Sequence, residues 1–233
     1  MRNIVILTGA GISAESGLRT FRADDGLWED HRVEDVCTPE AYERDPALVH
    51  RFYDARRQRA TEVEPNAAHV ALAELEQRWK GEFLLVTQNV DNLHERAGSK
   101  HLIHMHGQLD RCWCLACGGR FEWSGPMGVE ASCPACSERG ALRPDIVWFG
   151  EMPYEMGAIE AALTKADLFV SIGTSGAVYP AAGFVQTAKY VGAKTVELNL
   201  EPSMGSLFFD ERHYGPASVE VPKWVAGTMT ASR

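Results

Sequence analysis

No stretch of this chain approaches the roughly 20 apolar residues that a membrane-spanning helix requires. Positive charge is also scarce. The 23 Lys and Arg residues stand against 32 Asp and Glu, a formal net charge of −9. That deficit disfavours a nucleic-acid surface, which needs a basic stripe to meet phosphates. It suits solubility, and weakly a cationic protein segment. The opening MRNIVILTGAG holds one Arg and an apolar stretch too short for a secretory signal, with no cleavage site behind it. The stretch runs straight into a glycine turn and reads as a buried strand, so a cytoplasmic location is expected. Repeats and low-complexity tracts are absent. What remains is an ordinary globular composition, 45% hydrophobic and 24% charged over 233 residues. That is enough for one large domain or a domain carrying an insertion.

Short apolar runs at residues 3–8, 83–87, 101–105, 166–173 and 194–199 read as buried strands. Asn66 is placed to cap a helix reaching Lys80, with Ala67, Val70, Ala71 and Leu75 as its apolar stripe. A second helix is expected over residues 181–190. Alternating strands and helices predict an α/β fold, a parallel sheet with helices on both faces. Two stretches break the rhythm: residues 23–65, charged and helix-like, and residues 109–143, which hold five of the six cysteines. The expected organisation is therefore a discontinuous main domain (1–22, 66–108 and 144–233). A small lobe is expected from the helical module 23–65 and the cysteine module 109–143.

Cys114 and Cys117 form one C-x-x-C pair, Cys133 and Cys136 a second, with fifteen residues between the pairs. That spacing matches a zinc ribbon. Four thiolates leave no coordination position for water, so the metal, Zn²⁺, is structural. A disulfide or a redox pair is the rival reading, though a reducing compartment disfavours the first. Cys112 is an alternative ligand and Cys37 a lone thiol.

Gly9, Gly11 and Ala14 fit the G-x-G-x-x-G/A spacing of a loop that cradles a dinucleotide pyrophosphate. The acidic strand tip that a hydride-transfer enzyme places about 20 residues further on is missing. The chain runs instead into LRTFRADDGLWEDH, and Asp24 and Asp25 come too early. Four other polar clusters follow strands: TQNVDNLHERAG with Gln88, Asn89 and Asp91; IHMHG with His104 and His106; GTSG (173–176); and ELNLEPS (197–203). Strand carboxyl ends are where open α/β sheets bind ligands. Taken singly these residues have structural readings too. A strand-end His is often only a satisfied polar group, as His104 is expected to be, and Asp91 can simply cap the next helix. Tyr53 and Arg56, spaced i, i+3 on one helix face, read from spacing alone as a stripe-margin Tyr and a solvent Arg.

Together GAGISAESG, TFR, TQNVDNLHERAG, HMHG, the paired C-x-x-C, WFGE, GTS and NLEP resemble the sirtuins, NAD-dependent protein-lysine deacylases, over nearly the whole chain. The likeness is to bacterial members of the desuccinylase and demalonylase branch. It implies a Rossmann-like main domain and a reaction that cleaves NAD. The acyl oxygen of an acyl-lysine attacks the nicotinamide ribose, through an oxocarbenium-like transition state, yielding nicotinamide and an O-acyl-ADP-ribose. In this resemblance His106 is the general base, with Asn89 and Asp91 also catalytic. Gly9, Ala10, Gly11, Ala14, Phe21, Arg22, Gln88, Asn89, Asp91, Gly173, Thr174, Ser175, Asn199, Leu200, Glu201 and Ala217 bind NAD. Val147, Phe149 and Gly150 border the peptide groove. Tyr53 and Arg56 become the acyl pocket, where a guanidinium can grip a succinyl or malonyl carboxylate and a tyrosine hydroxyl can add a hydrogen bond. Succinyl and acetyl groups are both expected substrates. The implied partners are acyl-lysine proteins or peptides, not nucleic acid or membrane, and the implied state is a monomer. One departure stands out: Arg19 and Thr20 occupy the place where many sirtuins carry Pro-Asp before the Phe-Arg. Alternative functions are a protein ADP-ribosyltransferase on the same scaffold and a non-catalytic NAD-binding regulator.

Overall fold

The computed structural model describes residues 2–19, 27–28 and 31–231. Phe21 and Arg22 lie outside the described residues. In chain order the elements are β1 (Asn3–Thr8), α1 (Gly11–Ala14), β2 (Leu27–Trp28), β3 (His31–Arg32), α2 (Val33–Val36), α3 (Pro39–Arg44), α4 (Pro46–Thr61), α5 (Ala67–Arg78), β4 (Glu82–Thr87) and α6 (Leu93–Ala97). They continue as β5 (Leu102–His104), β6 (Gly107–Cys114), β7 (Arg120–Glu122), β8 (Leu142–Ile146), α7 (Met156–Leu163), β9 (Leu168–Ile172), α8 (Phe184–Tyr190), β10 (Lys194–Asn199), β11 (Glu211–Tyr214) and α9 (Ala217–Ala231).

Among the described residues the main sheet has six strands in the order β11-β10-β9-β1-β4-β5, all pairs parallel. Strand side chains alternate between faces, and β1 uses both. Ile4 and Ile6 join Leu72 and Leu75 of α5 and Val221 and Val225 of α9. Val5 and Leu7 join Ile159 and Leu163 of α7 and Phe184, Val185 and Ala188 of α8. Full burial of each such side chain contributes roughly 1.5–3 kcal/mol, so both helical layers are needed to cover a sheet that is apolar on both sides. The chain proceeds from β1 outward to β4 and β5, then returns to the other side of β1 with β9. The strand order therefore reverses between β1 and β9, the crevice position where doubly wound sheets bind ligands.

Of the expected α5 stripe, Ala71 and Leu75 are buried and the other two positions are not. Ala67 and Val70 are exposed, whereas Ala68, His69 and Leu72 are buried. A buried histidine is tolerable there because both its ring nitrogens find partners, described below. The expected strand 101–105 shortens to β5, which puts His106 in the turn beyond it. Asn66 does cap α5, accepting from the Ala68 N–H while His69 answers to the Asn66 N–H. β11 and α9 lie outside the sequence-based expectations. α9 carries Pro222 inside a helix, a residue that usually reads as a breaker.

Helices α2, α3 and α4 pack with β6 and β8 through a second core that includes Val36, Cys37, Val49, Phe52, Tyr53, Leu109, Ile146 and Trp148. α3 and α4 each start on a Pro after a capping residue, Thr38 and Asp45, whose side chains accept from Ala41 and Leu48. β7, β6 and β8 form a three-stranded antiparallel sheet that carries the cysteines at its end. No described helix is long and apolar enough to cross a membrane.

Candidate active site

The two glycine loops at the switch point meet directly. Gly9 N–H donates to the Ile172 carbonyl at 2.9 Å and Gly11 N–H to the Gly173 carbonyl at 2.8 Å. A Cβ on Gly9 would lie 2.8 Å from the Gly173 oxygen, and one on Gly11 2.8 Å from the Gly173 Cα. Glycine is required at both positions because backbone meets backbone there, and Gly173 itself has φ +62°. Gln88 Nε2 spans to Thr174 Oγ1 at 3.1 Å, and Asn199 Nδ2 to the Thr174 carbonyl at 2.9 Å. The loops after β1, β4, β9 and β10 are thus joined at one sheet edge. Leu200 and Glu201 are exposed in the turn after β10. Ala217 opens α9, whose Ser218 is bonded to Glu15 just beyond α1.

His106 Nδ1 lies 3.1 Å from the Gln88 carbonyl. A carbonyl only accepts, so Nδ1 carries the hydrogen and Nε2 keeps its lone pair. Burial holds the His106 pKa below the ordinary value, opposed by that backbone bond. At neutral pH the ring is therefore an uncharged base. His104 differs. Its Nδ1 bonds the Asn89 carbonyl at 3.0 Å and its Nε2 the Glu95 carboxylate at 2.6 Å. Burial lowers its pKa, but Glu95 and the carbonyl outweigh that and leave it raised. Its partners are structural, as expected for His104.

Asn89 and Asp91 are both buried and oriented by Ser13. Asn89 Nδ2 donates to Ser13 Oγ at 3.1 Å, and Ser13 Oγ donates to Asp91 Oδ2 at 3.1 Å. Asp91 Oδ1 also accepts the N–H of Leu93, the first residue of α6, at 3.1 Å, while the capping position itself is Asn92. Burial raises its pKa against these bonds. Behind Ser13 stand two histidines the sequence did not single out. His69 Nδ1 accepts from Asn66 N–H at 3.3 Å, which leaves the hydrogen on Nε2, 3.4 Å from Ser13 Oγ. His94 Nε2 lies 3.0 Å from Thr8 Oγ1, which donates to Thr87 Oγ1 at 2.9 Å, and Thr87 Oγ1 accepts Asn89 N–H at 3.0 Å. Burial drops His69 to about 4 and His94 well below its ordinary value. The only sequence trace of this layer is polar residues in otherwise apolar positions, Thr8 and Thr87 at strand ends and His69 in a helix stripe.

Val147 N–H donates to the His106 carbonyl at 2.9 Å, and Phe149 N–H to the Cys37 carbonyl at 2.9 Å. These bonds run the 147–151 segment from the histidine to α2. Gly150 is exposed with φ +90° and Phe149 is partly exposed. Tyr53 is fully buried. Its hydroxyl accepts from Trp148 Nε1 at 3.1 Å and donates to Cys37 Sγ at 3.4 Å. Arg56 is not spread in solvent: its Cζ sits 3.7 Å over the Trp28 ring and 5.3 Å from that of Phe52.

The sulfurs of Cys114, Cys117, Cys133 and Cys136 all lie within 4.8 Å of one another, with two contacts at 3.8 Å. Four ligands about 2.3 Å from a tetrahedral zinc stand about 3.8 Å apart, so the donor set fits Zn²⁺. Disulfide sulfurs would be about 2 Å apart. Cys112 is buried outside the group, and Cys37 is a buried thiol pushed up to about 11 by burial.

A model of the Sir2 family matches residues 9–180. The NAD-dependent protein deacylase of Bdellovibrio bacteriovorus is 62% identical over 226 residues, 96% of this chain and 95% of that protein. That of Salmonella typhimurium is 60% identical over 224 residues, 95% of this chain and 82% of that protein. Among solved structures, a Sir2 homolog–NAD complex superposes with a TM-score of 0.90 at 37% identity, covering 99% of this chain and 91% of that one. A Sir2–p53 peptide–NAD+ structure does so at 0.80 and 29%, covering 99% and 93%.

Proposed function

This chain belongs to the Sir2 family and is an NAD-dependent protein deacylase, and from that premise we propose that it removes succinyl and acetyl groups from lysine side chains. NAD supplies the electrophilic ribose carbon and nicotinamide as leaving group. The residues that would hold it are those joined at the switch point: the loop from Gly9 to Ala14, Gln88, Gly173, Thr174, Ser175 and Asn199, with Leu200, Glu201 and Ala217 at the margin. The meeting of two glycine loops, where a Cβ would strike backbone, supports this fit. Phe21 and Arg22 would complete it.

The protein's contribution is orientation and one proton. Ser13 holds the Asn89 amide and the Asp91 carboxylate in fixed directions, which suits them to grip the ribose and the carboxamide of the leaving group. His106, uncharged and with Nε2 unprotonated, can take a proton from a ribose hydroxyl. Two neutral histidines behind Ser13 keep further positive charge away from a centre where positive charge develops. At the acyl end, an Arg56 guanidinium stacked on Trp28 next to the buried Tyr53 offers a carboxylate a two-pronged partner. An acetyl group makes no use of it but is not excluded by it.

The observation that carries this reading is the His106 tautomer, set by the Gln88 carbonyl of the loop that also carries the oriented Asn89 and Asp91. The experiment is nicotinamide release from NAD with matched acetyl- and succinyl-lysine peptides, with mass spectrometry of the product. O-acyl-ADP-ribose is expected. ADP-ribosylated protein with the acyl-lysine intact would instead identify a transferase. Arg56→Met is expected to slow desuccinylation at least about tenfold, the loss of a charge-assisted pair, and an unchanged rate would remove Arg56 from the pocket.

A further inference from the structure

One buried guanidinium takes no part in the chemistry described so far. Arg143 of β8 is 4% exposed and pairs in register with Trp113 of β6. Its Cζ lies 3.4 Å from the centroid of the Trp148 ring and 5.1 Å from that of Trp113. Nη1 and Nη2 donate to the two carboxylate oxygens of Glu151 at 2.7 and 2.9 Å, and Nη2 also to the Ile146 carbonyl at 2.8 Å. Glu151 in turn accepts the Trp148 N–H at 2.8 Å and returns its own N–H to the Trp148 carbonyl at 3.0 Å. The Trp148 ring face and backbone are therefore both fixed by a single Arg–Glu unit.

The indole passes that order on. Trp148 Nε1 donates to Tyr53 Oη at 3.1 Å. With that side of the oxygen taken, the phenol hydrogen must turn elsewhere, and it points at Cys37 Sγ, 3.4 Å away. Thiol sulfur is a weak acceptor. A carboxylate oxygen reaching the same hydrogen displaces it, because a charge-assisted bond is roughly twice as strong as a neutral one.

We propose that Arg143 is a positioning residue for acyl-group selection: by clamping Trp148 and Glu151 it fixes the Tyr53 hydroxyl with its hydrogen kept off the indole and held only by the weak acceptor Cys37 Sγ, from which an acyl carboxylate can take it. This rests on the reading of Tyr53 and Arg56 as the acyl pocket. The selection is confined to acyl groups ending in a carboxylate, since an acetyl group presents no acceptor to that hydrogen. Lysine at position 143 does not substitute, because an ammonium neither bridges both Glu151 oxygens nor covers the Trp148 ring as a guanidinium does.

The test is steady-state kinetics of Arg143→Met, Arg143→Lys and Trp148→Phe on matched succinyl- and acetyl-lysine peptides at saturating NAD. Met fills the space over the Trp148 ring without charge. Trp148→Phe keeps an aromatic face but removes the Nε1 donor together with part of the buried ring. Both Arg143 variants are expected to raise KM for the succinyl peptide about three- to tenfold, the effect of one misdirected hydrogen bond. KM for the acetyl peptide and kcat on both should stay within about twofold, and circular dichroism should be unchanged. Trp148→Phe should lower the succinyl-to-acetyl ratio of kcat/KM similarly. Arg143→Met added to Trp148→Phe should lower it no further, since both act through one bond. Equal rises in both KM values, no rise in either, or additive losses in the double variant would overturn the proposal. If the Met variant fails to fold, the Lys variant decides. The underlying reading is tested separately by Arg56→Met, which leaves Arg143 intact. If Arg56→Met abolishes succinyl preference and the Arg143 variants do not touch it, only the positioning role falls.

Discussion

Acid should unfold this protein through the two histidines behind Ser13. His69 is fully buried and His94 lies beside it, ring centroids 4.9 Å apart. In the unfolded chain each binds a proton near its ordinary value of 6.5, while the folded protein holds His69 at about 4 and His94 well below 6.5. Between those values the unfolded state binds more protons, so stability is complete above about pH 6.5 and is lost as pH falls. For His69 alone the loss is about 2 kcal/mol at pH 5 and about 3 kcal/mol at pH 4. His94 adds a loss of the same sign. His104, whose folded value is raised, works the opposite way. Carboxylates contribute to any acid transition as well, so the comparison must isolate the imidazole. Urea unfolding of the wild type and of His69→Gln between about pH 7.5 and about pH 5 does so, because Gln does not titrate. The variant should be the less stable at neutral pH, having lost a packed ring. The gap between the two proteins should narrow by about 2 kcal/mol on reaching pH 5. Parallel stability profiles would refute the claim that His69 is buried neutral.

Three further outcomes follow from the geometry. The acid limb of kcat/KM should lie below pH 6.5, because the burial of His106 depresses its pKa and only the neutral ring accepts a proton. His106→Ala should remove that limb and slow turnover at least about a hundredfold, and a variant that keeps the wild-type rate would exclude the histidine as base. Gly11→Ala sets a methyl group 2.8 Å from the Gly173 Cα and oxygen. Both strand ends must separate, which should cost about 1–3 kcal/mol of stability and raise KM for NAD; an unchanged melting temperature and KM would contradict the contact. Purified protein should carry one zinc per chain, and a strong chelator or Cys133→Ser should lower its melting temperature, since metal binding is folding free energy in such ribbons. Full stability in metal-free protein would show that the four thiols hold nothing.

Local pattern reaches only part of this molecule. The paired C-x-x-C fixes its ligand set because two tight knuckles can place four sulfurs together almost regardless of context, and the 3.8 Å contacts agree. The strands β1, β4, β9 and β10 are legible because a parallel strand covered on both faces must be apolar throughout. The α5 stripe is legible only in part: Ala71 and Leu75 are buried as expected, but the pattern misses His69, buried against Ser13, 56 positions away. Propensity contains no such partner. Tyr53 and Arg56 are a sharper case. Their spacing suits a Tyr at the margin of the apolar stripe and an Arg in solvent, and the buried hydroxyl and the stacked guanidinium exist only because Trp28, Cys37 and Trp148 converge on α4.

The residue order alone determined the doubly wound sheet, the metal knuckles and which polar clusters follow strands, since each depends on neighbours within a turn or two. The tertiary structure alone decided which nitrogen of His106 carries its hydrogen, why two histidines stay neutral beneath the site, and how Arg143 reaches a tyrosine on another element. Protonation and direction are set by what lies across a contact, and contacts between distant segments come into being only when the chain is packed.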